Sequence, residues 1–281
     1  MAAPFFSVPF QPYVYQSPQS TVTPFQILGG ESQILQIMLK SQDKVTSKPG
    51  TMCYLSGSIE INNTYFPEQD GGIWQWLFGK NIISIVFSNT GPDDGYVGIS
   101  APSPARIIPI DLANFGGEML CQADAFLCSL NDVKVSNVAD QRARNITSGS
   151  EVVLKQKLVG QGLAFLVGGG SVVQKILDVG EVVVVDAACI VAMTSTINFQ
   201  VKYSHPVRRS VFGGDHQLTA SLTGPGVVFI QSLPFHRLSQ RIARAVTPQG
   251  MRDNPKFFIQ IAIFFFLAYV MIVSSLILTD V

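Results

Sequence analysis

Leu222-Thr-Gly-Pro-Gly-Val-Val-Phe-Ile230 decides the fold, because the chain writes it three times. Gly224-Pro225-Gly226 predicts a tight turn: Pro225 fixes φ at the second turn position, and Gly226 supplies the positive φ that a type II turn asks of the third. Before it, Leu218, Ala220 and Leu222 alternate with polar neighbours as in a half-buried strand, and after it Val227 to Ile230 is a short apolar run. A second copy places Val152, Leu154 and Leu158 before Gly160-Gln-Gly162 and Leu163 to Leu166 after it. A third, looser copy alternates Ile83, Ile85 and Phe87 with serines, turns at Thr90-Gly-Pro-Asp-Asp-Gly95 and leaves through Tyr96 to Ile99.

A second motif precedes each turn. Leu112-Ala-Asn-Phe-Gly-Gly-Glu118 leads to Met119 through Leu127, and Leu177-Asp-Val-Gly-Glu181 leads to Val182 through Val191. The first version runs from Leu39 to Pro49-Gly50 and on to Met52 to Leu55, with a Gly57-Ser58 tip before Ile59 and Ile61. Three copies of about 65 to 70 residues, cornered by Gly or Pro, predict an all-β, sandwich-like domain over residues 25–234, made of three pseudo-repeats of short antiparallel strands rather than βαβ units.

Nineteen basic residues balance nineteen acidic ones and only 14% of residues are charged, so no global field favours nucleic acid or an acidic substrate. Cys53, Cys121, Cys128 and Cys189 form no C-x-x-C pair and read as buried thiols in a reducing compartment. Two sequons, Asn62 and Asn145, matter only in a secreted chain. Residues 1–24 form a flexible Pro and aromatic arm, whose rings are expected to pack on the chain's own domain. Trp74 and Trp76, both in Gly71 to Gly79, mark either packing on the first repeat or an interface with another subunit or a bilayer surface.

Sites of chemistry are not expected. His205, His216 and His236 have no second His or carboxylate at metal-ligand spacing. Gly160-Gln-Gly162 and Gly168-Gly-Gly170 have no following Lys-Ser/Thr and read as corners rather than phosphate loops. Asp111, Glu118, Asp178 and Glu181 read as solvated turn groups. No catalytic residue, cofactor or metal is predicted.

Beyond Pro234 the composition changes. Phe235, Leu238, Ile242 and Val246 fall at helical spacing with Arg237, Arg241 and Arg244 around the other side, so residues 235–255 are expected to hold a basic amphipathic linker helix, either laid along lipid headgroups or serving as a solvated connector that covers a sheet edge. Phe257 to Leu278 carries no charge, and residues 256–281 are expected to form a transmembrane tail anchor, with Phe257, Phe264, Phe266 and Leu278 in contact with lipid. Basic residues lie only before that span, which predicts a single-pass protein with its N-terminal domain facing the cytosol.

The chain resembles the altered inheritance of mitochondria 24 family of mitochondrial-biogenesis proteins. The resemblance covers Phe25 to Leu233 and rests on Phe25-Gln-Ile-Leu-Gly-Gly30, Lys48-Pro-Gly-Thr-Met-Cys-Tyr-Leu-Ser-Gly57, Val159-Gly-Gln-Gly-Leu-Ala-Phe-Leu166, Phe212-Gly-Gly-Asp215, Leu222-Thr-Gly-Pro-Gly226 and Gln231. It implies a β domain similar to the tryptophan RNA-binding attenuator protein and a role in mitochondrial membrane organisation, and it carries no catalytic residues. Residues and resemblance together predict a non-catalytic, membrane-anchored scaffold or adaptor that acts as a homo-oligomer with membrane-organising proteins. The placement is mitochondrial by resemblance, with endoplasmic reticulum and plastid envelope as alternatives. An RNA-binding module, drawn from the fold analogy and Arg142, Arg144, Arg208 and Arg209, is the rival reading, and an enzyme with a loop-built site is another.

Overall fold

A computed structural model of the chain describes residues 11–13, 15, 25–65, 82–130, 132–137, 154, 156–203, 218–246 and 261–272. Two short strands, β1 (Gln11–Pro12) and β2 (Phe25–Leu28), come first. Three sets of six follow. The first repeat runs β3 (Ile34–Leu39), β4 (Lys44–Ser47), β5 (Met52–Leu55), β6 (Ile59–Tyr65), β7 (Ile82–Asn89) and β8 (Gly95–Ser100). The second runs β9 (Ala105–Asp111), β10 (Glu118–Cys121), β11 (Phe126–Leu130), β12 (Lys134–Asn137), β13 (Gln156–Val159) and β14 (Leu163–Gly169). The third runs β15 (Val172–Leu177), β16 (Val182–Asp186), β17 (Ile190–Thr194), β18 (Asn198–Tyr203), β19 (Leu218–Thr223) and β20 (Gly226–Gln231). A helix, α1 (Phe235–Val246), comes next.

Each repeat pairs its strands in the same way. The first strand bonds the sixth and the sixth the third; the second bonds the fifth and the fifth the fourth, all antiparallel. The third strand of every repeat carries a register shift at one place, between Met52 and Tyr54, Phe126 and Cys128, and Ile190 and Ala192. Such a bulge bends the strand and sharpens its twist, which turns the sheet toward its neighbour. Each repeat is thus two small sheets facing one another, with alternate side chains turned inward as period-two strands require.

Repeats join edge to edge. β4 pairs with β11, and β10 pairs with β17, so the second strand of one repeat binds the third strand of the next. This fuses the small sheets into a six-stranded sheet, β6-β7-β4-β11-β14-β9, and a seven-stranded one, β1-β15-β20-β17-β10-β13-β12. The remaining sheets are β2-β3-β8-β5 and β16-β19-β18.

Three buried clusters follow this plan. One packs Leu35, Ile37 and Phe87 of the first repeat against Ile107, Phe165 and Val167 of the second. Another packs Met119 and Leu158 of the second repeat against Ala192 and Phe229 of the third. The last holds Leu177, Met193, Leu222 and Val228 of the third repeat and, among the described residues, takes none from the first. Near the start of the described chain, β1 lies on β15, the Tyr13 hydroxyl donates to the Pro109 carbonyl at 2.8 Å, and the Tyr15 ring meets Phe25 at 5.5 Å.

The turn that opened the reading forms, though not as type II. The Gly224-Pro225 peptide is cis, a mark of type VI turns, and Gly226 has φ +153°. A Cβ on Gly226 would meet Thr194 Oγ1 and lie 2.6 Å from Ile197 Cγ1. Glycine is needed there for close approach as well as for its backbone, and the Val227 N–H donates to Thr194 Oγ1 at 3.0 Å beside it.

The chain divides into two compact units, Met1–Phe235 and His236–Val281. In the second, the expected transmembrane helix is corrected: among the described residues, no helix is long and apolar enough to cross a membrane. The helical run there covers residues 261–272. The single-pass, cytosol-facing placement falls with the expected span. Hydropathy scores side chains one by one, whereas a span is a property of a helix. Phe264 and Phe266 lie in the described run and are exposed; Phe257 and Leu278 lie outside the described residues.

Candidate functional site at the ends of the repeat series

The two junctions share one register. Cys128, Ser129 and Leu130 face Ser47, Thr46 and Val45; Ala192, Met193 and Thr194 face Cys121, Leu120 and Met119. Each is extended by one further bond onto the bulge, from the Lys48 N–H to the Leu127 carbonyl at 2.8 Å and from the Gln122 N–H to the Val191 carbonyl at 3.0 Å. β11 and β17 are buried along their whole length as a result.

A ring seals each junction from the side. Phe165 lies opposite Cys128 and Phe229 opposite Ala192, and both rings are fully buried. Phe165 stacks edge-on with Phe25 at 5.0 Å; Phe229 does so with Tyr13 at 5.1 Å and Phe115 at 5.9 Å. Burying one such side chain contributes on the order of 2 to 3 kcal/mol.

At the ends of the series the same parts are uncovered. β5 is the terminal strand of its sheet and β16 of its own. By the shared bulge, Tyr54 stands where Cys128 and Ala192 stand in the other repeats, and it faces Gly98 where they face phenylalanine. The large and small members of the pair have changed strands. A Cβ on Gly98 would lie 2.7 Å from Tyr54 Cε2, so the glycine makes room for the ring. The Tyr54 hydroxyl donates to Gln36 Oε1 at 2.8 Å, and its ring lies 6.2 Å from that of Tyr96, which is exposed. At the other end, β16 offers four valines in succession, of which Val182 is 57% exposed and Val184 61%.

Ionisable groups hold turns together. Glu181 accepts from Lys175 Nζ at 2.8 Å and from the Asp178 N–H at 2.9 Å, and these bonds lower its pKa below the ordinary carboxylate value. Asp111 caps a short 3-10 turn by accepting from the Ala113 N–H at 3.1 Å, and Asp186 does the same for the Ala188 N–H at 2.9 Å. Glu118 pairs with Lys157 at 2.7 Å. Burial pushes the Cys121 thiol up to about 12 and raises Cys128 well above its usual value, while Cys53, on β5, is exposed. Burial is also the main reason the Tyr13 hydroxyl rises to about 12.

The glycines considered for phosphate binding serve packing. A Cβ on Gly169 would strike the Leu233 carbonyl oxygen, and the Gly169 N–H donates to Gln231 Oε1 at 2.8 Å. Among the described residues no group of three or more His, Cys, Asp or Glu is placed to hold a metal ion. His236 is exposed, with Gln240 Nε2 3.3 Å from its Nε2; His205 and His216 lie outside the described residues.

Of the expected headgroup contacts, Arg241 is exposed and Arg237 half-buried on α1; Arg244 is on the same helix, its side chain outside the description. Trp74, Trp76, Arg142, Arg144, Arg208 and Arg209 lie outside the described residues. Sequence reasoning missed Asn89, which is fully buried and ties the β7–β8 turn by donating to the Leu39 and Asp93 carbonyls at 2.8 Å each. It missed the Tyr54 and Gly98 exchange too, which only the cross-strand register reveals.

The sequence profile of the family described as Mitochondrial biogenesis AIM24 matches residues 25–233. Among solved structures, the chain is similar to a crystal structure of a Streptococcus pyogenes protein, with a TM-score of 0.61 and 18% identity over 79% of this chain and 99% of that one. At that identity the likeness is one of fold. None of the curated proteins matches the sequence.

Proposed function

Because the chain belongs to the mitochondrial biogenesis AIM24 family, its role is related to mitochondrial biogenesis, and we propose that it fills that role as a non-catalytic adaptor bound to the surface of a mitochondrial membrane. The reading is carried by α1. Phe235, Ile242 and Val246 form one stripe of that helix and are 53%, 55% and 75% exposed. Arg237, Arg241 and Arg244 fall on the opposite side at about 100° per residue. A helix so divided lies in the plane of an anionic bilayer, its apolar stripe among the acyl chains and its arginines among the phosphates. The non-catalytic part draws support from the uses already made of the described acids and bases, which cap turns and pair across strands.

Sedimentation of the full chain with phosphatidylcholine vesicles, with and without an anionic lipid, tests this reading. Each basic residue near such a surface contributes about 1 kcal/mol, so neutralising three (Arg237→Gln, Arg241→Gln, Arg244→Gln) is expected to weaken binding on the order of a hundredfold. High salt should imitate the variant. Equal binding to neutral vesicles, or an unaffected triple variant, would overturn the reading.

A further inference from the structure

The chain makes the same junction twice and carries the unmatched halves of a third. Its second strands β4 and β10 are taken, as are its third strands β11 and β17; among the described strands, β16 and β5 are left without an outer neighbour. Alignment on the bulges and on the inward residues Val45, Met119 and Val183 sets the register a third junction would take: Tyr54 opposite Val185, Leu55 opposite Val184, Ser56 opposite Val183. We infer that β5 of one copy pairs with β16 of another in this register, so that the repeat series continues from chain to chain.

Burial separates used halves from unused ones. β11 and β17 are buried throughout, while Met52 on β5 is 44% exposed and Cys53 is exposed. Edge strands that avoid pairing are blunted with lysine, proline or an inward charge. Val182 to Val185 has none of these, and charge returns only at Asp186. In the turn just before it Val179 is 85% exposed, which widens the apolar rim. The complementary end offers Tyr54, Tyr96 and Met38 on the face that in the second and third repeats covers the preceding repeat. Tyrosine and methionine suit a face that is wet in the free chain and buried in the assembly.

The two ends differ, so the contact is head to tail and extends beyond a pair into a ring or a filament. This deepens the adaptor reading and rests on it only for the purpose of assembly, since the strand edges alone carry the pairing.

Two measurements on the full chain test it. In light scattering the wild type is expected at a multiple of the 30.5 kDa chain mass, and Val184→Lys at 30.5 kDa with an unchanged circular dichroism spectrum, because that side chain is already exposed in the single chain. In a Cys53→Ser background, single variants Leu55→Cys and Val184→Cys should give a product of twice the chain mass with a short bis-maleimide only when mixed. A wild type that runs at 30.5 kDa overturns the assembly altogether. An assembled Val184→Lys overturns this edge but leaves oligomerisation standing, and neither result bears on vesicle binding. Crosslinking of Val184→Cys alone means β16 pairs with itself, and a Leu55→Cys, Val184→Cys double variant that links internally at 30.5 kDa means the seam closes within one chain; both overturn the inference.

Discussion

The junction around Phe229 and the free end around Tyr54 are built from one cross-strand pair with its members exchanged. In the third repeat the ring is on the sixth strand, opposite Ala192, and sinks into the core of the repeat before it. In the first repeat the sixth strand has Gly98, and the ring is returned to the third strand as a tyrosine. A phenylalanine at that end would leave a bare apolar face in water. Tyr54 keeps the packing volume yet bonds its hydroxyl to Gln36, which suits a face that is wet in the free chain. The exchange teaches that the repeats share a backbone plan, while the side chains record each one's place in the series.

The largest expected contrast between sealed and free ends is chemical. Cys128 lies on the sealed third strand β11 and Cys121 on the second strand β10, and burial raises both thiols, Cys121 from 9.0 to about 12. The reactive species is the thiolate. At pH 8 such a shift lowers the thiolate fraction of Cys121 about a thousandfold, before any steric protection is added. Iodoacetamide should therefore label Cys53 of the unassembled Val184→Lys chain and spare Cys121 and Cys128 until denaturant is added, as peptide mass mapping would show. Labelling of Cys128 at the rate of Cys53 would mean that the β4–β11 junction opens freely.

A stability contrast comes next. Phe229→Ala should cost about 3 to 5 kcal/mol, because the cavity lies among Tyr13, Phe115 and the second repeat's core. Tyr54→Ala should cost about 1 kcal/mol, since the ring is half-buried and its lost hydrogen bond is near solvent. Urea unfolding of both variants decides the matter. Equal costs would show that the first repeat's outer face is as tightly packed as a junction.

What was legible in the sequence follows from which interactions are local. The glycine corners at Gly160, Gly162, Gly224 and Gly226 recur because every fifth-to-sixth strand turn must reverse within a few residues, and turn chemistry is local. Alternation marked Leu218, Ala220 and Leu222, of which Ala220 and Leu222 are fully buried. The joining of β4 to β11 was not legible, since it depends on the register between strands about 80 residues apart, and neither strand names its partner. The Tyr54 and Gly98 exchange was hidden for the same reason. Cys53 was read as buried with the other thiols, and it is exposed because β5 has no outer neighbour among the described strands. At the far end, the apolar count over Phe257 to Leu278 predicted a span, and among the described residues no helix is long and apolar enough for one.

The smallest expected effect sharpens the comparison at the open β16 end. Lys175 Nζ and the Asp178 N–H both donate to Glu181 at the turn that launches β16, and they hold the Glu181 carboxyl below its ordinary value of 4.5. A depressed carboxylate contributes stability that is complete above the unfolded-state pKa and is lost as pH falls through the folded one. The wild type should therefore lose more of its melting temperature between pH 6 and pH 3 than Glu181→Gln, whose amide does not titrate. The group is solvated and salt screens it, so the difference should be the least of the three and shrink further in 1 M salt. If the edge is covered by a second copy, the turn below it is partly shielded, and the pH-dependent difference should be larger for the assembled wild type than in a Val184→Lys background. Identical pH profiles in both backgrounds would place the turn outside the contact and confine the pairing to the valines themselves.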